Sequence, residues 1–335
     1  MGKRWVLRLR FAAAVWIMTA VCTVTAYADG TLIPVGETVG IQIKMDGVLV
    51  AGVTPVETAE GTVCPAQSAG LKAGDVISAV NGRAVEGAAG FIRAVEDWGG
   101  GQMELTVRRG GRSRCVAVTP AVDVNGGRRL GLWLRDGVAG IGTVTYIDPS
   151  TGAFGALGHG VNDTETGVLL PVAEGDVCRA QIVDIKKGLA GTPGELAGSF
   201  DASDVIGCIE SNTPCGIFGV MEDHPEVVCP ALPVGGPEDV QKGPATILAC
   251  VSGQQVEQYD VEIARTGMAA DSGRDLVVHV TDPELLQRTG GIVQGMSGSP
   301  IIQNGKLVGA VTHVLVNDPT RGYGIFIDTM LDAAA

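Results

Sequence analysis

The chain has 335 residues, a formal net charge of −13 and 45% hydrophobic residues. This composition excludes a largely disordered chain, and the acidic balance argues against nucleic-acid binding because it repels phosphates. At about 100–200 residues per domain, the length indicates two domains. Glycine accounts for 50 residues, about twice the ~7% of ordinary proteins, and such an abundance of turn-forming residues predicts a mainly β fold.

The first 28 residues have the features of an export segment. Four basic residues at positions 3–10 precede an apolar run at 11–28 that ends in Ala-Tyr-Ala, a small-x-small sequence of the kind that signal peptidases cut. The run also has about the minimum length for a membrane span, ~18 residues. We therefore predict a cleaved signal peptide or a retained membrane anchor over 1–28, a linker over 29–38, and export of the rest.

Residues 39–122 are predicted to form a PDZ domain. Short β-type runs alternate with turns, and a longer helix is predicted at 88–98. The sequence PAQSAGLKAGDVI at 65–77, followed by an Asn-Gly hairpin turn at 81–82, resembles the short helix, strand and turn of a PDZ module. A generic small β domain is the structural alternative.

A PDZ domain holds the carboxylate of a chain end in a loop of backbone N–H groups, and its neighbouring strand accepts the peptide as an added strand. Val39, Gly40 and Ile41 stand where that loop is expected. The sequence therefore predicts a peptide-binding site at these three residues.

The strongest chemical signal in the remaining block, residues 130–335, is the sequence GMSGSP at 295–300. A glycine two positions before the serine lets the backbone bend, so that the N–H groups of Gly295 and Ser297 point to one spot and form an oxyanion hole. The pattern predicts Ser297 as a nucleophile. An ordinary glycine-serine turn before a hairpin is the alternative.

A serine nucleophile needs a base, and the chain has four histidines. His159 lies between two glycines, which we expect to leave its imidazole free to reach across a cleft, so it is the predicted base. His313 follows the nucleophile loop and is expected to line a substrate pocket. His224 lies in a proline-rich excursion and His279 in an apolar strand.

The imidazole must in turn be oriented by a carboxylate. The residues alone leave several aspartates open, and Asp163 is only four positions from the predicted base. The candidates are Asp163, Asp201, Asp204, Asp275 and Asp282.

Together these features resemble the SpoIVB peptidases of endospore-forming bacteria. The matching stretches are 130–136, 139–145, 154–163 and 295–301, along with the PDZ block and the single export segment. The resemblance implies a PDZ domain followed by a chymotrypsin/trypsin-like double β-barrel, with a triad in the order His159, Asp282, Ser297.

The same resemblance implies an exported serine endopeptidase that processes itself and needs no metal or organic cofactor. It would be membrane-anchored or released into the space between the forespore and mother-cell membranes. There it would cleave a membrane-bound regulator of an intramembrane protease, which then activates sigma factor K, while the PDZ groove binds peptide chain ends.

Two alternatives stay open. One is an exported PDZ-type peptide-binding scaffold whose second domain is non-catalytic, and the other is a general quality-control protease of the HtrA-like kind. Met296 precedes the serine, where trypsin-like enzymes have an aspartate that pairs with a freed N-terminus. That ion pair is therefore not available for activation.

Seven cysteines follow the export segment, an odd number that cannot pair completely within the chain. Their spacing forms no zinc pattern and assigns no disulfide. Most are expected to be small buried hydrophobic residues.

Overall fold

The structure is a computed structural model that describes residues 30–223, 228–267 and 274–335. The predicted export segment and His224 lie outside the described residues. The described α-helices are α1 (Pro65–Ser68), α2 (Gly87–Glu96), α3 (Pro283–Thr289) and α4 (Ile327–Ala334), and Pro237–Asp239 form a short 3₁₀ helix. No helix in this part of the chain has the length and apolar character needed to cross a membrane.

Most of the described chain is β-strand. The strands are, in chain order, β1 (Thr31–Pro34), β2 (Thr38–Val53), β3 (Val56–Thr58), β4 (Gly61–Val63), β5 (Val76–Val80), β6 (Arg83–Ala84), β7 (Met103–Arg109), β8 (Arg112–Val118), β9 (Ala121–Val122), β10 (Arg128–Arg129), β11 (Leu132–Ile147), β12 (Ala153–Ala156), β13 (Val172–Lys186), β14 (Glu195–Thr213), β15 (Gly216–Met221), β16 (Leu232–Pro233), β17 (Gly243–Ser252), β18 (Gln255–Thr266), β19 (Leu276–Val280), β20 (Pro300–Gln303), β21 (Lys306–Val314) and β22 (Arg321–Phe326).

Two six-stranded rings follow from the strand pairing. In the first, β2, β11, β12, β15, β14 and β13 pair in that order, and β13 returns to β2. The second is the closed barrel β17-β18-β19-β22-β21-β20. Each ring buries its own apolar core, with Val39 and Phe154 in the first and Ile247 and Ile263 in the second. The predicted double β-barrel fold is confirmed.

The last helix, α4, packs against residues from both rings. Its Ile327 and Met330 belong to one buried cluster with Tyr146 of β11 and with Phe218 and Leu307. Because burying an aliphatic side chain is worth about 1.5–3 kcal/mol, this cluster stabilises the contact between the two barrels.

A third, smaller core lies under α2. Phe91 and Val95 of that helix pack against Val48 of β2 and against Ile77 and Leu105 of β5 and β7. This is the PDZ part of the molecule. It is continuous with the first barrel because β2 pairs with β11 along its whole length, with β13 in its first half and with β5 in its second half.

The prediction that Val39, Gly40 and Ile41 form a PDZ carboxylate loop is wrong. All three lie in β2, paired with β11 on one edge and β13 on the other, so their backbone groups are part of two strand ladders. A Cβ added at Gly40 would stand 2.3 Å from the ring of Phe200. This glycine is therefore required for close packing inside the first barrel.

The segment predicted as a linker is also part of the fold. β1 pairs with β11 and with β16, and Val35, Glu37 and Thr38 are all buried. A segment before the PDZ core thus adds one strand, β1, to β11 of the first ring.

The seven cysteines of the described chain all have free thiols. Only Cys178 and Cys250 are buried, so the prediction that most of the cysteines are buried is wrong. Burial raises the pKa of these two thiols, which makes them unreactive.

Candidate active site

A cleft of about 580 Å³ contains both predicted catalytic side chains. Its walls come from β11 and the loop after β12 on one side, and from residues 292–297 and the end of β21 on the other. His159 is supplied by the first ring and Ser297 by the second. The structure therefore brings together two residues that are 138 positions apart in the sequence.

His159 is held at a sharp turn after β12. The chain leaves this strand through two consecutive residues with positive φ, Leu157 at 69° and Gly158 at 68°. A leucine in this region costs roughly 1–2 kcal/mol, and such strain is concentrated at functional sites. Leu157 is nevertheless fixed, because its side chain is buried and its N–H donates to the Thr143 carbonyl at 3.1 Å.

The orientation of the His159 ring suits a base. Its Nδ1 lies 3.0 Å from the carbonyl oxygen of Gly160. A carbonyl can only accept, so this contact requires the tautomer with the proton on Nδ1. The other nitrogen, Nε2, is then unprotonated and can accept a proton.

Burial favours the neutral form of His159. The side chain is half-buried, and burial lowers its pKa, against the smaller opposing effect of the Gly160 hydrogen bond. The ring of His313 lies beside it at a centroid distance of 4.7 Å. The pKa of His313 is lowered to about 4. The main cause is its partial loss of solvent, and the charges on His159 and Arg274 add to it.

The nucleophile loop holds two free N–H donors. Gly295 has φ of 99°, a conformation that favours glycine, and both Gly295 and Ser297 line the cleft. In the described part of the chain neither N–H donates to an acceptor, whereas the neighbouring amides of Gln294, Met296 and Gly298 all do. Free amides at these two positions are what an oxyanion hole requires.

The hydroxyl of Ser297 forms no hydrogen bond with His159 in this conformation. It donates to the carbonyl of Thr312 at 2.5 Å. Rotation about the Cα–Cβ bond of Ser297 is therefore needed before its proton can pass to the imidazole. Hydrogen bonds between catalytic groups are often unformed without substrate.

The structure does not place Asp282 with the other two residues. Asp282 is the N-cap of α3, where one carboxylate oxygen accepts from the N–H groups of Glu284 at 2.9 Å and Leu285 at 3.0 Å. The other carboxylate oxygen accepts from the backbone N–H of Asp260 at 3.4 Å. Asp282 does not line the cleft. The Asp-Pro sequence at 282–283 is a helix-start signal, which competes with the catalytic interpretation.

Asp163 does line the cleft, but its carboxylate holds the loop that follows His159. It accepts from Arg135 at 2.8 Å and from the N–H and hydroxyl of Thr166, both at 2.8 Å. Burial pushes its pKa up, but the Thr166 hydrogen bonds and the Arg135 charge outweigh this and lower it overall. Among the described residues no carboxylate bonds to the imidazole of His159.

The three remaining candidates are engaged elsewhere. Asp201 accepts from Ser203, and Asp204 pairs with Arg179. Asp275 is buried and accepts from the N–H of Phe326 at 3.0 Å. The backbone carbonyl of Gly160 thus occupies the place at Nδ1 that a triad aspartate takes.

The sequence of residues 126–331 matches the family model of the SpoIVB peptidase S55. This is more than half of the chain. The chain belongs to the SpoIVB peptidase family S55. A PDZ-domain model matches residues 58–109, so the protein is a PDZ-containing serine endopeptidase of that family.

Solved structures with some likeness include two kinds of protein. The PDZ domain of an SdrC-like protein from Listeria monocytogenes is 24% identical, with 28% of this chain and 93% of that one covered and a TM-score of 0.23. The active form of the Rv3671c protease from M. tuberculosis is 19% identical. The match covers 60% of this chain and 73% of that one, with a TM-score of 0.31. The HtrA-type protease AlgW with decapeptide is 12% identical. The match covers 68% of this chain and 54% of that one, with a TM-score of 0.32. No curated protein matches the chain.

In this S55 peptidase, a second groove of about 400 Å³ lies between α2 and the start of β11. Phe91, Ile92 and Val95 line it from the helix, and Leu132 and Leu134 from the strand. In the described structure this stretch of β11 pairs only with β2, so its second edge is open to an added strand. A helix facing an open strand edge is the arrangement in which PDZ domains bind peptides.

Sequence reasoning missed the residues that hold the S55 nucleophile loop. Thr143 donates through its hydroxyl to the Gly295 carbonyl at 2.8 Å and through its N–H to the Ser297 carbonyl at 3.1 Å. Thr143 lies on the same strand, β11, that lines the PDZ groove. The sequence carries no motif for this contact, because it joins residues 152 positions apart.

Proposed function

We propose that Ser297 and His159 form the catalytic centre of this serine endopeptidase, with the oxyanion hole at the N–H groups of Gly295 and Ser297. The observation that carries this proposal is the pair of free amides in a cleft that also contains Ser297 and a neutral histidine. Two backbone N–H groups that donate to no acceptor among the described residues and line one cleft beside a serine are suited to a developing oxyanion.

The chemistry follows from these groups. Nε2 of His159 takes the proton of the Ser297 hydroxyl as Oγ attacks the peptide carbonyl, and the two amides hold the negative oxygen of the tetrahedral intermediate. The imidazolium gives its proton to the leaving amine, which leaves an acyl-enzyme. Water, activated by the same imidazole, then releases the acid and restores the serine.

The carboxylate is the open member of the centre. The family resemblance assigns Asp282, and that assignment requires α3 to release its N-cap and move toward His159. The geometry of the described residues favours a Ser297–His159 pair oriented by the Gly160 carbonyl.

The biological role that we propose follows the family. The enzyme is exported, anchored by or freed from residues 1–28, and cleaves a membrane-bound regulator of an intramembrane protease, which activates sigma factor K during sporulation. The cationic and apolar N-terminal sequence supports export. The groove beside α2 supports a partner that presents a peptide chain end.

The catalytic centre is tested by labelling with a fluorophosphonate. We expect one adduct, at Ser297, that is lost in Ser297→Ala and in His159→Ala. Ser299→Ala is the matched control, because the Ser299 hydroxyl is buried in the same loop and has no hydrogen-bond partner among the described residues. Labelling that persists in Ser297→Ala contradicts the assignment.

The role is tested in a sporulating host whose own copy is replaced. We expect a sigma-K-dependent reporter to be lost with Ser297→Ala and kept with Ser299→Ala. An unchanged reporter in the Ser297→Ala strain contradicts the proposed role but leaves the enzyme class intact.

A further inference from the structure

The nucleophile loop presents its two free amides through three consecutive peptide units, each with its carbonyl held. The Gln294 carbonyl accepts from the N–H of Leu196 at 2.9 Å, and the Met296 carbonyl accepts from Ser299 at 3.0 Å. A trans peptide points its C=O and N–H in opposite directions. These two bonds therefore turn the N–H groups of Gly295 and Ser297 the other way.

The middle peptide, between Gly295 and Met296, sets the angle between the two donors. Its carbonyl accepts from the Thr143 hydroxyl at 2.8 Å, and its N–H donates to Val293 at 3.1 Å. Thr143 is the only side chain of the described structure that bonds to one of these three peptides. Its side chain is 1% exposed, so water does not compete for this bond.

An anchor is needed at this point because of the residue types in the loop. Gly295 has no Cβ to restrict its backbone, and its φ of 99° is only one of the conformations open to glycine. Met296 has no charge with which to fix the loop through an ion pair. The loop must then be fixed from outside, and β11 lies against it.

We propose that Thr143 is a positioning residue for the oxyanion hole. It holds the Gly295–Met296 peptide so that both amides point at the substrate oxygen, and it does so in place of an ion pair beside the nucleophile. This proposal rests on the assignment of Ser297 as nucleophile. Thr143 touches neither substrate nor the reacting atoms, so it acts only through the loop.

The decisive variant is Thr143→Val, which keeps the shape of the side chain and the backbone bonds but removes the hydroxyl. The Gly295 carbonyl then loses its partner, and the peptide is held only through the bond from its N–H to Val293. Because losing one oxyanion donor costs about 10²–10³ in rate, we expect partial misalignment to slow fluorophosphonate labelling by about 10–100-fold. The pH midpoint of labelling should not move, since His159 is untouched.

Thr145→Val is the matched control. Thr145 is two positions further along β11 and fully buried, and its hydroxyl has no partner among the described residues. The same substitution there removes no bond, so the labelling rate should stay within twofold of the wild type. Thr143→Ser, which restores a hydroxyl, should bring the rate back to within about fivefold.

Three outcomes overturn the proposal: a Thr143→Val rate within twofold of the wild type, an equal loss in Thr145→Val, or no recovery in Thr143→Ser. If Thr143→Val does not fold, Thr143→Ser and Thr143→Ala decide the matter, because both lose packing but only serine keeps the bond. Labelling of Ser297→Ala is measured in parallel. Labelling that persists in Ser297→Ala would show that Ser297 is not the nucleophile. Labelling that is lost in Ser297→Ala but unchanged in Thr143→Val would reject only the role of Thr143.

Discussion

The imidazole rings of His159 and His313 lie side by side, with centroids 4.7 Å apart and planes tilted by 35°. Two imidazolium ions at this distance would repel each other. The pair therefore favours neutral rings, and the loss of solvent around each ring adds to this. The base of the proposed centre is thus kept in its proton-accepting form.

The pH dependence of labelling follows from this pair. The lowered pKa of His159 means that its neutral form persists below pH 6.5, the ordinary histidine value. We expect the fluorophosphonate rate to fall only as the pH drops through that lowered pKa, with a midpoint below 6.5. His313→Ala opens one face of the ring to water and should move the midpoint upward.

His279→Gln is the control for the pH profile, because His279 lies in β19 and does not line the cleft. The pH midpoint of labelling in His279→Gln should equal that of the wild type. A wild-type midpoint at or above 6.5 would contradict the inferred desolvation of His159.

Asp282→Asn separates a helix cap from a triad carboxylate. Asparagine caps a helix about as well as aspartate, so it should preserve α3, whereas Asp282→Ala should lower the free energy of unfolding by about 1 kcal/mol. We expect the Asn variant to keep a kcat within tenfold of the wild type, as measured on a peptide substrate. A loss near 10⁴-fold, the size seen when a triad aspartate is neutralised, would show that Asp282 moves to His159 in the working enzyme.

Local sequence was sufficient to find the two catalytic candidates. Ser297 and His159 each lie in a short glycine-rich turn, and a turn that exposes a reactive side chain has a composition of its own. The aspartate has no such signature, since Asp-Pro at a strand end marks a helix start as well as a catalytic position. The groups that bond to Asp282 lie in β18 and α3, and the spacing of residues in the sequence does not reveal this arrangement.

The error at Val39, Gly40 and Ile41 has a different origin. A glycine between two β-branched residues fits a peptide-binding loop and also fits a core strand that another side chain approaches closely. Only the position of Phe200, 160 residues further along the chain, decides between them. The long strands β2 and β11, which serve both the PDZ part and the first barrel, likewise could not be predicted from the domain boundaries in the sequence.

We expect Gly40→Trp to damage the catalytic domain. Any side chain at this position overlaps the ring of Phe200, and overpacking a core costs typically 1–3 kcal/mol or more. We expect a lower midpoint of thermal unfolding together with reduced fluorophosphonate labelling. A folded, fully labelled Gly40→Trp protein that has lost only peptide binding would restore the original loop assignment.

Ile92→Asp tests the groove beside α2. Ile92 is 42% exposed and lines that groove, so a carboxylate there should repel a peptide C-terminus and weaken binding of a fluorescent peptide with an apolar last residue at least tenfold. Val183→Asp, at an exposed valine of β13 outside the groove, should bind as the wild type does. Equal binding by Ile92→Asp would place the peptide site elsewhere.

We expect self-processing to cut before the fold begins. A cut within residues 32–38 conflicts with β1, in which Ile33 pairs with Ile147 and Thr31 with Pro233, and with the burial of Val35 and Thr38 that follows. A protease needs its substrate extended and unpaired, and detaching β1 would expose part of the core. Gly30 and Thr31 are exposed, so we expect the mature wild-type chain to begin no later than Thr31.

Mass spectrometry of wild type and Ser297→Ala, produced side by side, should show this shorter form only with the intact serine. Identical N-termini would leave signal peptidase as the sole agent, and a wild-type N-terminus beyond residue 32 would show that β1 leaves the barrel during processing.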